Sequence, residues 1–203
     1  MNNIKTFNKQ NYVLLKKVID PSLAEIITEY LFLKRRVADT LIRSRLISPY
    51  ASEWGQFGDK QIPNSYNSYC DLLCELLLIK LQEFVEKNTG LKLSPTYSYT
   101  RIYSKGDELK KHTDRIDCEI SATLNVGGDM WPIFMKDKKI NLDIGDMVIY
   151  KGCDIEHWRE PFKGEMCTQI FFHYNTEETA KRLNKYFDGR ETIGIPFKPF
   201  INK

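Results

Sequence analysis

Hydrophobic residues follow a helical period in the first part of the chain. Apolar side chains recur at helical spacing over residues 23–31, with a continuation or restart over 36–46, and again over residues 71–87. The segment Asp-Pro-Ser at 20–22 is typical of a helix start, because proline fits the first turn and the polar side chains cap free N–H groups. Gly90 is typical of a helix end. This part of the chain is therefore predicted to be mainly helical.

Beyond Gly90 the pattern changes to short strands separated by turns. Tyrosine and threonine alternate in the manner of a strand over residues 96–103, and about eight short strands end at residue 174. Residues 12–15 indicate one more strand near the N-terminus, and residues 177–187 a closing amphipathic helix. Helices followed by a run of short strands predict an α+β fold, in which a β-sandwich or barrel has the N-terminal helices packed on one sheet.

A long segment between the two helical regions carries neither period. Residues 48–69 are rich in Pro, Gly, Asn and Ser, and they also contain Trp54, Phe57, Tyr66 and Tyr69. A loop of this length within a compact domain is usually functional or disordered, and its aromatic content argues against disorder. We call it the covering segment. Its sequence is compatible both with a lid over a substrate and with plain packing on the domain.

Composition restricts the class of protein. The formal net charge is only +3, and lysines lie beside acidic residues throughout the chain, so no basic stripe for nucleic acid is present. The 5 cysteines include no CxxC pair and are an odd number, which favours reduced thiols in a cytoplasmic protein. No signal peptide begins the sequence and no apolar stretch is long enough to cross a bilayer, so a membrane partner is not expected. A length of 203 residues predicts a single domain, 1–203.

One short pattern indicates metal chemistry. His112 and Asp114 lie two residues apart in the predicted strand 109–115, so both side chains would leave the same face of an extended backbone. A further imidazole, for which His157 is the candidate, would complete a 2-His-1-carboxylate facial triad. That ligand set is associated with non-haem Fe(II), because it leaves coordination positions open for a co-substrate and O2. A His-x-Asp tripeptide also occurs by chance, so its sequence context decides its meaning.

Three longer motifs provide that context. Residues 103–114 contain a tyrosine, a glycine turn and then His-x-Asp, and residues 144–150 contain Ile-Gly-Asp followed by an apolar strand. Residues 157–161 contain a histidine followed four positions later by proline, with Gly164 beyond it. Together these motifs resemble the catalytic core of the Fe(II)/2-oxoglutarate-dependent oxygenases, and within them the prolyl-hydroxylase-like group. The likeness extends over residues 95–175.

This resemblance implies a fold and an activity. The fold would be a double-stranded β-helix, or jelly-roll, over residues 91–175, with residues 1–90 as helical support and covering segment and residues 176–203 as a C-terminal helix and tail. The three residues of the predicted triad would be the catalytic metal ligands for Fe(II), which would use O2 and the co-substrate 2-oxoglutarate. The expected reaction is hydroxylation of a peptide side chain or a small molecule, with release of succinate and CO2. A metal-binding, cupin-like sensor or binding protein without oxygenase turnover is the alternative.

The chain departs from this family in one respect. The oxygenases usually carry an arginine or lysine on the last strand, about nine to eleven residues after the distal histidine, to pair with the C5 carboxylate of 2-oxoglutarate. Residues 166–168 are Met, Cys and Thr, so the cation has to come from elsewhere or the co-substrate differs. Arg159 is the first candidate because it is close in sequence to a proposed ligand, with an exposed ion pair as the alternative role. Arg115, Lys151 and Arg101 are the other candidates.

Three further residues are predicted to bind the co-substrate. Tyr103 corresponds to a tyrosine that hydrogen-bonds 2-oxoglutarate in relatives, with packing of a strand aromatic as the alternative. Thr123 and Gln169 are candidate hydrogen-bond donors inside the barrel. His173 shares strand parity with Gln169 and could face the cavity, but a histidine satisfied within the core is the simpler interpretation.

Overall fold

The computed structural model describes residues 2–196, and the last part of the predicted C-terminal tail, residues 197–203, lies outside them. The helices are α1 (Asn3–Gln10), α2 (Pro21–Arg43), α3 (Leu72–Thr89) and α4 (Glu177–Leu183), with short 3-10 turns at Ile116–Cys118 and Phe187–Gly189. The strands are β1 (Tyr12–Leu15), β2 (Gln56–Phe57), β3 (Tyr66–Tyr69), β4 (Leu93–Ser104), β5 (Leu109–His112), β6 (Ile120–Gly128), β7 (Ile133–Met135), β8 (Lys138–Ile140), β9 (Met147–Lys151), β10 (His157–Arg159) and β11 (Met166–Thr176).

The strands form two antiparallel sheets that pack face to face. The major sheet has the strand order β1-β9-β6-β11-β4-β3-β2, and the minor sheet has the order β5-β10-β7-β8. Apolar side chains of the two sheets share a cluster, in which Val148 and Tyr150 of the major sheet pack with Ile133 and Met135 of the minor sheet. The predicted α+β class is confirmed.

Helices α2 and α3 cover the outer face of the major sheet. Ile27 of α2 and Leu78 of α3 are fully buried in one cluster with Leu124, Ile170 and Phe172 of the sheet. Burying a side chain of this size stabilises the fold by about 1.5–3 kcal/mol, so these contacts hold the helices against β6, β11 and β4. The packing of the N-terminal helices on one sheet agrees with the prediction from their amphipathic pattern.

The buried faces of these helices are narrower than their apolar sequences suggest. Ile26 is 62% exposed, Leu72 is 72% exposed and Leu76 is 51% exposed, although their apolar character predicts burial. Helix α3 carries apolar residues on nearly all sides, so its period cannot identify the face that meets the sheet. That face is the one that carries Cys74 and Leu78.

The N-terminal part of the chain contributes strands as well as helices. β1 pairs with β9 and β3 pairs with β4, so this part of the chain forms both ends of the major sheet. Within the covering segment the hairpin of β2 and β3 extends the sheet beyond β4. Helix α1 has no counterpart in the predictions, because its sequence is mostly polar and Phe7 is its only buried residue.

Two further observations concern thiols and membrane contact. The five cysteines, Cys70, Cys74, Cys118, Cys153 and Cys167, are free thiols. Among residues 2–196 no helix combines the length and the apolar composition that crossing a membrane requires.

Candidate functional site

The two histidines of the predicted triad meet across neighbouring strands. His112 is the last residue of β5 and His157 the first of β10, and the two residues pair directly in the minor sheet. Their ring centroids lie 4.3 Å apart. Pairing between strands that are distant in sequence therefore places both imidazoles at the same end of the minor sheet.

Asp114 reaches the histidines from a different backbone position than the sequence predicts. β5 ends at His112, so the predicted strand 109–115 is three residues too long and Asp114 lies beyond the hydrogen-bonded part of the strand. The Asp114 N–H instead donates to the carbonyl oxygen of Gly152 at 2.8 Å. This approach requires glycine, because a Cβ at position 152 would lie 2.4 Å from Asp114 Oδ2. The three side chains nevertheless come together, and we call His112, Asp114 and His157 the metal-ligand trio.

The ring nitrogens of both histidines are oriented for metal binding. His112 Nδ1 lies 2.8 Å from the carbonyl oxygen of Lys110, and His157 Nδ1 lies 3.1 Å from that of Ile155. A carbonyl oxygen only accepts hydrogen bonds, so Nδ1 carries the proton in each neutral ring and Nε2 keeps its lone pair. The Nε2 atoms face Asp114 Oδ1, at 3.7 Å from His112 and 3.6 Å from His157.

The ligand atoms of the trio fit a metal cation better than they fit one another. Their nitrogen–oxygen distances of 3.6 and 3.7 Å are too long for good hydrogen bonds. Burial lowers the pKa of His157, the carboxylate of Asp114 opposes this shift, and the neighbouring His112 adds to it. The neutral imidazole that results is the form that binds metal. Two imidazoles and one carboxylate are the donor set of non-haem Fe(II) sites.

A cavity of about 420 Å³ lies beside the trio. Its lining combines six aromatic side chains of the major sheet with polar side chains, among them the trio, Arg101 and Arg115. The aromatic lining residues include Tyr69, Tyr97, Tyr99, Tyr103, Tyr150 and Phe171. Apolar walls with a few convergent polar groups are typical of cavities that bind small ligands.

The two arginines in the wall of this cavity already have carboxylate partners. Arg115 donates to Asp188 at 2.8 and 3.0 Å and also to Asp117. Arg101 donates to Asp59 at 2.5 Å, but its buried Nε has no hydrogen-bond partner among the described residues. Arg115 is therefore a poor candidate for binding a ligand carboxylate, whereas Arg101 keeps one unused donor.

The covering segment reaches the trio. The side-chain nitrogen of Gln61 lies 3.2 Å from His112 Nε2, the atom that would bind a metal. Asp59 braces this turn, because it accepts from the backbone N–H groups of Gln61 at 2.8 Å and Ile62 at 2.7 Å. Although burial opposes its ionisation, the charge of Arg101 holds the pKa of Asp59 below its usual value. Ile62 is fully buried, so the turn is anchored on both sides of Gln61.

Arg159 lies in the interior, and no carboxylate of residues 2–196 pairs with it. It is 1% exposed, and it donates to Gln169 Oε1 at 2.6 Å and to the carbonyl oxygen of Trp131. Its Nε has no partner in the described part of the chain, and burial lowers its pKa. Gln169 also contacts Cys167 at 3.5 Å, so the guanidinium lies beside the stretch of the last strand that lacks the expected cation. This position excludes the exposed ion pair that was the alternative role for Arg159.

Tyr103 connects the cavity with this buried charge. Its ring packs edge-on against Trp131 at 4.8 Å, and the guanidinium carbon of Arg159 lies 5.0 Å from the same Trp131 ring. The buried hydroxyl of Tyr103 makes no hydrogen bond of good geometry among residues 2–196, although the guanidinium carbon of Arg101 lies 5.9 Å from the Tyr103 ring. Burial raises the pKa of Tyr103, against the charges of Arg101 and Arg159, so the hydroxyl keeps its proton. An unpaired donor beside cationic groups fits a carboxylate ligand. We call Tyr103, Arg159 and Gln169 the buried arginine cluster.

The remaining candidates do not line the cavity. Thr123 Oγ1 lies 3.5 Å from the hydroxyl of Tyr150, which does line it. The Gln169 amide oxygen accepts from Arg159, so Gln169 would affect a ligand by orienting the Arg159 guanidinium. The ammonium of Lys151 lies 5.9 Å from the Phe7 ring, which belongs to the helix-covered core. Lys151 is therefore not placed to bind the co-substrate.

A row of side chains across the major sheet supports the trio, and no motif in the sequence reveals it. Tyr150, Ser121, His173 and Tyr97 occupy paired positions on β9, β6, β11 and β4. Ser121 donates to Asp114 Oδ2 at 2.8 Å. Burial lowers the pKa of His173 to about 4, so this imidazole is neutral near pH 7. The alternation of side chains along a strand predicts that His173 can face the cavity. It does not predict that Ser121 lies beside His173, because that contact depends on the pairing of β6 with β11.

No protein-family model and no curated protein matches this sequence, whereas solved structures match its fold. A prolyl-4-hydroxylase from Pseudomonas putida is 13% identical with a TM-score of 0.60, over 86% of this chain and 99% of that chain. A prolyl hydroxylase from Trichoplax adhaerens, in complex with a hypoxia inducible factor oxygen degradation domain peptide fragment, is 12% identical with a TM-score of 0.63, over 91% of each chain. HygX from Streptomyces hygroscopicus, with nickel and 2-oxoglutarate bound, is 12% identical with a TM-score of 0.61, over 86% of each chain.

These similarities concern the fold, since fewer than one residue in six is identical in any of the three pairs. They include both peptide-binding and small-molecule structures of one superfamily. The resemblance that the sequence motifs indicate is thus confirmed at the level of architecture. The chain has the fold of the Fe(II)/2-oxoglutarate-dependent oxygenases, the prolyl hydroxylases among them.

Proposed function

We propose that this protein is a non-haem Fe(II)- and 2-oxoglutarate-dependent dioxygenase that hydroxylates its substrate. The observation that carries the proposal is the convergence of the trio, whose three ligand atoms lie within 4.8 Å of one another. Nδ1 carries the proton in both imidazoles, so the Nε2 lone pair of His157 is free for a metal, and that of His112 becomes free when the Gln61 side chain moves away. The two sheets would form the double-stranded β-helix, or jelly-roll, of such enzymes, with the metal at one end.

Each residue of the trio has a defined task in this proposal. His112 and His157 would hold the metal through their Nε2 lone pairs and Asp114 through one carboxylate oxygen, a ligand set that would leave room for 2-oxoglutarate and O2. Bound Fe(II) supplies the oxidising chemistry that places one oxygen atom in a substrate C–H bond while 2-oxoglutarate becomes succinate and CO2. The aromatic side chains of the wall would limit the access of water to the reacting groups.

The buried arginine cluster would hold the distal carboxylate of 2-oxoglutarate. Tyr103 is an unpaired donor in the cavity wall and would donate its hydroxyl hydrogen bond directly. Arg159 would supply the positive charge from the interior, and Gln169 fixes the orientation of its guanidinium. Thr123 would orient the hydroxyl of Tyr150 beside the co-substrate. This arrangement replaces the missing cation of the last strand.

The substrate would be a peptide side chain or a small molecule. Similar structures include a complex with a peptide fragment and a complex with hygromycin B. In this chain the covering segment brings Gln61 over the trio, and the cavity measures about 420 Å³. That volume is within the range of small-ligand sites, so one side chain or one small molecule would enter it.

Formation of succinate tests the proposal. The purified protein is mixed with Fe(II), 2-oxoglutarate and O2, and succinate is measured by NMR. We expect slow succinate release even without the primary substrate, and none from Asp114→Ala. If the protein binds metal and 2-oxoglutarate but releases no succinate, the cupin-like binding protein becomes the better description. If it binds no metal, both descriptions fail.

A further inference from the structure

The two carboxylate oxygens of Asp114 have different surroundings. Oδ1 faces the Nε2 atoms of His112 and His157, whereas Oδ2 accepts from the hydroxyl of Ser121 at 2.8 Å. Gly152 leaves no free space on this side, because a Cβ there would lie 2.4 Å from Oδ2. One oxygen therefore points towards the metal position, and the other is held by the protein.

The Ser121 hydroxyl has a single proton and three polar neighbours. Its Oγ lies 2.8 Å from Asp114 Oδ2, 2.9 Å from His173 Nδ1 and 3.2 Å from the carbonyl oxygen of Cys118. The carboxylate and the carbonyl can only accept. Both short contacts are satisfied only when His173 Nδ1–H donates to Ser121 Oγ and Ser121 donates to Asp114. The three side chains then form one directed chain of hydrogen bonds.

The major sheet holds this chain in place. Ser121 on β6 is directly paired with His173 on β11, which in turn is paired with Tyr97 on β4. The Tyr97 ring lies 4.5 Å from the imidazole of His173. Ser121 is fully buried and His173 is nearly so, which limits the access of water to the contact between them. Buried hydrogen bonds of this kind fix side-chain orientation.

We propose that Ser121 and His173 are positioning residues that keep Asp114 a one-oxygen metal ligand by reserving its second oxygen for the Ser121 hydroxyl. Ser121 acts directly on the ligand, and His173 acts through Ser121 by fixing the direction of its proton. The inference rests on the metal centre of the proposed function. Partners that orient a ligand commonly affect metal affinity by about 10–100-fold.

A second metal position formed by Asp114, Cys118 and His173 is the competing interpretation, since their ligand atoms also lie within 4.8 Å of one another. The contacts favour the positioning role. The sulfur of Cys118 lies 3.0 Å from the hydroxyl of Tyr97, and Asp114 Oδ2 and His173 Nδ1 both contact the Ser121 hydroxyl, so these groups already have partners within the protein.

Binding of Co(II) alone tests the proposal. Affinity is measured by calorimetry, and the Co(II) d–d absorption reports the coordination. We expect Ser121→Ala to bind Co(II) about 10–100-fold more weakly and to change the absorption band. Ser98→Ala is the matched control, because Ser98 is also fully buried and donates to a carboxylate, Glu75 at 2.8 Å, away from the trio. This control should bind Co(II) as the wild type does.

A double-mutant cycle tests the role of His173. We expect His173→Phe to weaken Co(II) binding, and the double variant Ser121→Ala/His173→Phe to bind no more weakly than Ser121→Ala, because the two residues act in series. His173→Asn keeps an N–H donor and should bind Co(II) more tightly than His173→Phe. Additive losses, or the reverse order of these two variants, would overturn the proposed series.

The outcomes separate this inference from the proposed function. If the wild type does not bind Co(II), the metal centre itself fails. If the wild type binds one Co(II) and Ser121→Ala binds equally tightly, only the positioning role is overturned. Two Co(II) ions per chain would favour the second metal position. Should Ser121→Ala fail to fold, His173→Phe decides alone, since wild-type affinity in that variant also overturns the proposal.

Discussion

The metal-ligand trio and the buried arginine cluster are assembled in different ways. Two of the trio's residues stand in one short motif, and strand pairing within the minor sheet adds the third. The cluster combines Tyr103 from β4, Arg159 from β10 and Gln169 from β11, so it joins the two sheets. Two of the three metal ligands are thus encoded locally, whereas all three residues of the anion position come from different strands and depend on which strands become neighbours. The cation can therefore lie away from the last strand, where the oxygenases usually carry it, while the metal ligands keep the positions that the motifs predict.

Removal of a metal ligand should have the largest effect of any change at the two sites. We expect His112→Ala and Asp114→Ala to lower Fe(II) or Co(II) affinity by more than about 100-fold, because even the neighbours of ligands contribute about 10–100-fold. Calorimetry should give one metal per wild-type chain and none in these variants. Lys111→Ala, which changes a half-exposed side chain next to His112 in sequence, is the control and should bind normally. Unchanged stoichiometry in either ligand variant contradicts the trio.

Replacement of the buried arginine should have the next largest effect, and it should spare the metal. Arg159→Lys is expected to weaken 2-oxoglutarate binding by about 2–4 kcal/mol, because lysine cannot reproduce the planar set of donors and leaves buried groups unpaired. The measurement is calorimetry with an inert metal already bound. Arg101→Lys and Arg115→Lys are the comparison variants. If Arg101→Lys alone fails to bind, the role moves to Arg101, and normal binding by all three contradicts the account of the anion site.

Loss of the ion pair between Asp59 of the covering segment and Arg101 of the cavity wall should have a smaller effect, and this effect should depend on pH. The pKa of Asp59 is depressed in the folded state by Arg101. Its stabilisation is therefore complete above the unfolded value of about 4 and is lost as the pH falls through the lower folded value. We expect Asp59→Asn to lower the free energy of unfolding by about 1–3 kcal/mol at pH 7. Denaturation by urea should show that the difference between wild type and variant shrinks below pH about 4. A difference that stays constant with pH would count against a stabilising ion pair between Asp59 and Arg101.

The contact between the covering segment and the trio should have the smallest effect. Gln61 occupies the lone pair of His112 Nε2 that a metal needs. Removing this hydrogen bond, worth about 0.5–1 kcal/mol, should raise Co(II) affinity about two- to fivefold in Gln61→Ala. A Co(II) titration followed by absorption measures the change. Weaker Co(II) binding would show instead that Gln61 supports the metal.

The sequence predicts those elements whose signals are local. Helix α2 begins with Asp20 as its cap and Pro21 in its first turn, and α3 ends at Gly90 in the left-handed conformation that glycine tolerates. Helix α1 escapes prediction because a single buried residue, Phe7, makes no apolar stripe. The hairpin in the covering segment escapes it because its pairing with β4 is a long-range contact.

Long-range pairing also explains which site residues the sequence could not supply. Ser121 and His173 become neighbours only because β6 pairs with β11. Asp114 is held by its backbone bond to Gly152 and not by the strand of His112. The closeness of Arg159 to His157 in sequence makes Arg159 a candidate, but its burial without a carboxylate partner among residues 2–196 results from the packing of the two sheets.

Metal-dependent binding of 2-oxoglutarate shows whether the trio and the buried arginine cluster act as one site. The co-substrate is titrated into the wild-type protein by calorimetry, once with Ni(II) bound and once after removal of metal by a chelator. We expect one 2-oxoglutarate per chain with the metal, and binding at least about tenfold weaker without it, because the metal and the buried arginine cluster would hold opposite ends of the molecule. Equal binding in both titrations, or no binding to the metal-loaded protein, would show that the two do not form a site for 2-oxoglutarate.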